Sequence, residues 1–256
     1  VDASSEKSAE AGRKANVEHM LKLLQNAQEW TPPGDIVFFH EFPITGFKFD
    51  WSRNDIDRIA IDLPGTESAA ISVAAKKYGC YVVFGSYARD PDWPGHVLSI
   101  TTVMGPDGEI VDKHWKARNI MGLFRIGRQP IELMTTTIYN VLDRYIEMYG
   151  ADAVIPVTRT PYGNICTSSV QREPELFRAM TMKGAEILLR TARQPAASRQ
   201  RISRCVQLTT ASTRRFATTP SARATSSLKT RAAVAARSMM SLVERLPAHA
   251  ANTSNW

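Results

Sequence analysis

Between about Arg13 and Arg190 the chain alternates between two apolar periods, and this alternation restricts the folds open to it more than any other feature. Val17, Met20, Leu21, Leu24 and Ala27 recur at helical spacing, which predicts an amphipathic helix over about 13–29. Pro32-Pro33-Gly34 breaks that helix, and residues 35–40 then read as a buried strand. A second helix is expected over 69–78, followed by a strand over 81–85. The turn Gly105-Pro106-Asp107-Gly108 separates two strand-like runs, 97–104 and 109–115, and predicts a hairpin. Further on, 137–149 reads as helix, 153–157 and 164–167 as strands, 173–184 as helix and 186–190 as strand, with Pro174 in the helix's first turn. The pattern is that of an α/β protein.

From Arg193 to Trp256 the texture changes. There is no glycine, 40 of the 64 residues are Ala, Arg, Ser or Thr, and eleven Lys/Arg face a single acid, Glu244. The net charge of +7 therefore belongs to this tail, because residues 1–192 carry 21 bases and 24 acids. Re-read with the frame displaced by one base and silent third positions chosen freely, Ala217–Ser241 can encode strand-like and Gly-rich segments that the stated tail lacks. The expectation is a domain over 1–192 and a basic, low-complexity, out-of-frame tail over 193–256. A nucleic-acid role for the tail would show as affinity that falls steeply with salt and disappears without residues 193–256.

Neither an apolar run of membrane-spanning length nor a signal-type apolar core is present, so a cytoplasmic protein is expected, with no membrane partner. Cys80, Cys166 and Cys205 read as free thiols, and no metal-ligand spacing joins them to the five histidines.

Three segments carry residues capable of chemistry. "VFFHEFPITGF" sets Glu41 just past the end of a buried strand, where a carboxylate can serve as a general base or simply be a solvated loop acid. "GEIVDKHWKARNI" brings Lys113 and Lys116 near a strand end, where one could stabilise an oxyanion. His114 reads as a strand-end packing residue. "GNICTSSVQREPEL" holds Cys166 near the end of a strand and ahead of a helix, a setting that favours a thiolate.

In this order and spacing the segments resemble the nitrilase, or carbon–nitrogen hydrolase, superfamily. "FFHEFPITGF" is similar to its F-P-E-x-x-x-T-G-[YF] motif with His40 in place of proline, and "DKHWK" to its K-[YH]-x-K motif. "PELFRAMTMKGAEILLR" is similar to its PE-x-x-R-x-x-x-x-x-GAE-[IV]-L segment. The resemblance implies a four-layer αββα sandwich and hydrolysis of a small amide or nitrile without cofactor or metal. Glu41 would be the base, Lys116 the electrostatic stabiliser and a cysteine the nucleophile. It also implies a homo-oligomer, a strand ahead of the first helix and further strands after Thr191. A sandwich lacking these would expose apolar sheet faces and be poorly soluble.

The nucleophile departs from the family pattern. The family's cysteine stands six residues before the proline of its Pro-Glu pair, and six before Pro174 is Ser168. Either Cys166 is the nucleophile and two residues are inserted after it, or Cys166 is core filler and Ser168 holds the position. A serine there needs a stronger base than an isolated glutamate. The second alternative makes the protein a catalytically silent relative. The family's usual second acid has no firm counterpart; Glu147 is the nearest candidate.

Overall fold

The computed structural model describes residues 1–29, 32–48, 50–119, 125–126, 128–130, 133–168 and 174–189. Helix α1 (Glu6–Glu29) buries Val17, Met20 and Leu24 of the expected stripe together with Ala9 and Arg13, and starts about two turns earlier than its apolar pattern predicts. Buried apolar side chains such as Met20 and Leu24 contribute about 1.5–3 kcal/mol each. That outweighs the few tenths of a kcal/mol of any exposed ion pair, so packing fixes the helix's orientation.

Strand β1 (Ile36–Phe38) follows, then α2 (Arg53–Ile59) and β2 (Ile61–Asp62), neither of which the periodicity reveals. A capping box between Ser52 and Asp55 starts α2. Helix α3 (Thr66–Tyr78) ends at Gly79, whose left-handed backbone makes the C-cap. Strands β3 (Tyr81–Arg89), β4 (Leu98–Met104) and β5 (Ile110–Trp115) complete a sheet with β1 parallel to β3 and the order β1-β3-β4-β5. The expected hairpin is β4–β5. β2 also pairs with β3, beyond β1 along the same edge. A short ribbon of β6 (Arg125–Ile126) and β7 (Gln129–Pro130) stands apart from this sheet.

The sheet's two faces have different partners. Val82, Phe84, Ile100, Met104 and Trp115 share one apolar cluster with Val17, Met20 and Leu24 of α1 and Ile71 and Ala75 of α3. Tyr81, Val83 and Val103 face the other way and pack against Ile165 and Leu189. These two residues lie on β8 (Ile165–Thr167) and β9 (Ile187–Leu189), a parallel pair. Helix α4 (Leu142–Tyr149) precedes β8, and α5 (Pro174–Met182) connects β8 to β9. One face of the β8–β9 pair is taken by the first sheet, so the crossover helix α5 covers the other face. The layers are helix, sheet, sheet, helix, the expected αββα arrangement.

The strand expected over 153–157 does not form. Ala151–Val154 is a 3₁₀ turn after the positive-φ Gly150, and the following chain meets β8 through one bridge, Thr158 to Ile165. Pro156 has no N–H to give to a ladder, so the segment cannot continue as a paired strand. The tail, residues 193–256, lies outside the described residues.

Candidate active site

Glu41 is positioned by the end of the β1–β3 ladder. Beyond Phe38 the pairing continues for two residues: the Phe39 amide donates to the Val83 carbonyl at 2.8 Å and the Gly85 amide to the His40 carbonyl at 3.3 Å. Glu41 then crosses directly over Gly85. A β-carbon at Gly85 would lie 2.1 Å from the Glu41 carbonyl oxygen, so only glycine permits this approach. The loop after Glu41 turns at Gly46 (φ 69°), where the Gly46 amide donates to the Phe42 carbonyl at 3.0 Å. Phe42 stacks on Phe47 and Tyr87, and Asn16 of α1 donates to the Ile44 carbonyl at 2.8 Å. His40 accepts from the Phe42 amide at its Nδ1, and burial holds its imidazole pKa below the ordinary value.

The two lysines near the end of β5 separate. Lys113 pairs with the buried Asp90, whereas Lys116 Nζ lies 3.2 Å from Glu41 Oε1. Both side chains of the second pair are nearly enclosed, Lys116 at 13% and Glu41 at 11% exposure. The pair is thus a charge-assisted contact held away from bulk water.

This pair borders a cavity also lined by Ser99, Thr101, His114, Thr167, Ser168 and, from α5, Leu176 and Met180. Ser168 therefore joins Glu41 and Lys116. Cys166 is not among the lining residues. Successive strand residues face opposite ways: Ile165 and Thr167 face the first sheet, which turns Cys166 away from it. Cys166 is 1% exposed, and burial pushes its thiol up to about 11. Glu147 is exposed on α4 and Glu175 on α5, and neither lines the cavity.

His114 does more than pack. It is 2% exposed, with Nδ1 3.0 Å from Thr167 Oγ1 and Nε2 2.7 Å from Thr158 Oγ1 and 3.2 Å from Asp112 Oδ2. Thr158 Oγ1 donates to Asp112 Oδ2 at 2.8 Å. Burial alone would raise the Asp112 carboxyl. The hydrogen bond and charge of His114, the Thr158 hydroxyl and the Lys113 amide outweigh that and hold its pKa below the usual carboxylate value. Sequence reading missed this cluster because Asp112 and Thr158 are 46 residues apart. The only local hint was the D-K-H spacing, which puts Asp112 and His114 on one strand face.

Among the described residues no group of His, Cys, Asp and Glu is arranged to hold a metal ion, and no helix is long and apolar enough to cross a membrane. Cys80 and Cys166 are free thiols, and Cys205 lies outside the described residues.

The fold is that of the nitrilase superfamily. The structure superposes on a branch 10 nitrilase-superfamily protein of Saccharomyces cerevisiae with a TM-score of 0.52 at 16% identity, covering 73% of this chain and 61% of that one. A carbon–nitrogen hydrolase from Helicobacter pylori gives 0.53 at 18% identity, covering 78% and 63%. The sequence profile of the carbon–nitrogen hydrolase family matches residues 7–227, most of the chain, and the protein belongs to that family. A bifunctional nitrilase/nitrile hydratase of Lupinus angustifolius is 33% identical over 131 residues, half of this chain and 31% of the lupin enzyme. The chain thus spans about a third of that relative's length and under two thirds of the two solved structures.

Proposed function

We propose that the protein hydrolyses the carbon–nitrogen bond of a small amide or nitrile, with Glu41 as general base and Lys116 as the electrostatic stabiliser of the tetrahedral intermediate. The observation that carries this reading is the enclosed Glu41–Lys116 pair, 3.2 Å apart, beside a cavity that the end of β8 also reaches. A base within hydrogen-bonding reach of a nucleophile's proton contributes about 10²–10⁴-fold. A fixed cation at the developing oxyanion contributes by a separate, electrostatic route. Of the two nucleophiles suggested by the sequence, Ser168, just past the end of β8, borders the cavity, whereas Cys166 does not and its thiol is pushed up to about 11 by burial. The reaction needs no cofactor, and the protein works in the cytoplasm as a homo-oligomer.

The alternative, a silent relative that binds a carbonyl compound without turning it over, draws on the orientation of Cys166. Ammonia release from a panel of short amides and nitriles separates the two. Turnover that falls by about two orders of magnitude or more in Glu41→Gln and Lys116→Met supports hydrolysis. No release from any member of the panel would leave the silent relative.

A further inference from the structure

Thr167 stands between the two residues that the sequence offers as nucleophiles, and its side chain faces the first sheet. Its hydroxyl is 3.0 Å from His114 Nδ1. The protonation of that imidazole follows from its partners. Thr158 spends its hydroxyl proton on Asp112, so its oxygen accepts from His114 Nε2 at 2.7 Å. Nε2 carries the ring proton, and Nδ1 is left as the acceptor for the Thr167 hydroxyl. A carboxylate, an imidazole and a hydroxyl are thus linked in series, and both His114 and Thr167 border the cavity that holds Glu41 and Lys116.

We propose that Thr167 is a nucleophilic hydroxyl activated by His114 and Asp112. The inference rests on the hydrolase reading above and supplies the stronger base that a hydroxyl nucleophile requires. Thr167 Oγ1 forms the new bond to the carbonyl carbon while its proton passes to His114 Nδ1. The carbonyl electron pair moves onto oxygen, whose negative charge Lys116 offsets. The imidazolium is held against Asp112 directly and through Thr158. Collapse of the intermediate breaks the C–N bond, and the departing amine takes the proton back from His114. Glu41 then serves as general base for the water that cleaves the threonyl ester, and the proton passes to the departing threonine oxygen, releasing the acid and restoring the hydroxyl. The charged groups around His114 are Asp112 on its own strand and, across the cavity, Glu41 and Lys116; β8 and the Thr158 segment present hydroxyls to it.

The test is acetylation of the full chain by p-nitrophenyl acetate, quenched in acid and located by fragment-ion mass spectrometry of the peptide containing residues 166–168. The expected result is an acetyl group on Thr167 of the unsubstituted chain. Thr167→Ser should keep the acetylation rate within about tenfold, and Thr167→Val and His114→Asn should lower it by about a hundredfold or more. Melting curves identify variants that fail to fold, and mapping on the unsubstituted chain needs no variant. Acetylation of Cys166 or Ser168 instead, or none at all, overturns the proposal. If ammonia is nevertheless released from amides, the hydrolase reading survives that result. Acetylation of Thr167 without amide turnover would uphold the nucleophile and remove the hydrolase reading.

Discussion

The two halves of the site are built differently. The Glu41–Lys116 half stands on the β1-β3-β4-β5 sheet: Lys116 follows the long β4–β5 ladder, and Glu41 follows the short β1, whose pairing with the nine-residue β3 continues through Phe39 and His40. The β8 half is a three-residue strand with one bridge to Thr158 on one side and β9 on the other. In the first half Glu41 and Lys116, far apart in sequence, meet as an ion pair at 3.2 Å. In the second, Cys166 faces away from the first sheet, and Thr167 takes the inward face against His114. Motif identity is robust where the backbone is over-determined. A one-residue change of register in a short strand exchanges its faces entirely.

The contrast breaks most sharply at the Glu41–Lys116 pair. Replacing Lys116 with Met leaves a nearly enclosed carboxylate without its cation, and turnover of any amide substrate should fall by about 10²–10⁴-fold. Steady-state ammonia release measures this, and near-normal rates would remove the pair from the mechanism.

Gly85→Ala tests whether Glu41 is held by the ladder. The added methyl collides with the Glu41 carbonyl at 2.1 Å, so the strand must shift. Overpacking of this kind costs about 1–3 kcal/mol. Each kcal/mol lowers the melting temperature by about 2–4 °C in a chain of this size. Calorimetry should show the drop, with a larger loss of turnover than the stability change explains.

A smaller effect is expected at acid pH. The Asp112 pKa is lowered in the folded state, so its contribution is fully present above the unfolded value of about 3.9 and is lost as pH falls through the folded value. Asp112→Asn should therefore destabilise at neutral pH and flatten the dependence of melting temperature on pH in that acid range. An unchanged acid limb would mean that the His114–Thr158 cluster does not hold this carboxylate charged.

The smallest expected effect is at Cys166. With thiols pushed up to about 11, Cys80 and Cys166 are ionised to roughly one part in a thousand at pH 8 and should resist thiol reagents until the chain unfolds. Cys166→Ala should leave amide turnover within a fewfold. Rapid native labelling of Cys166, or loss of activity on its replacement, would bring the thiol back into the site.

Much of this was legible in the sequence because it is local. The stripe Val17-Met20-Leu24 forms α1, the Gly105–Gly108 turn forms the β4–β5 hairpin, and Pro174-Glu175 opens α5. Glu41 and Lys116 were readable because each follows an apolar strand within a few residues of its motif. Where the apolar pattern failed, single residues overrode it or it was too short to show. Pro156 and the positive-φ Gly150 replaced an apolar strand with a turn, and α2 was hidden because its seven residues bury only Ile56 and Ile59.

The sequence by itself determined the alternation of helices and strands, the glutamate and the second lysine, and the misplacement of the cysteine relative to Pro174. It could name Cys166 and Ser168 as rivals but could not orient them. Only the tertiary structure decided which face of β8 meets the first sheet, because that follows from pairing with β9 and packing of Ile165 against Val83 and Val103. The same packing brought Thr167 to His114 across 53 residues of chain, a contact with no sequence period to announce it.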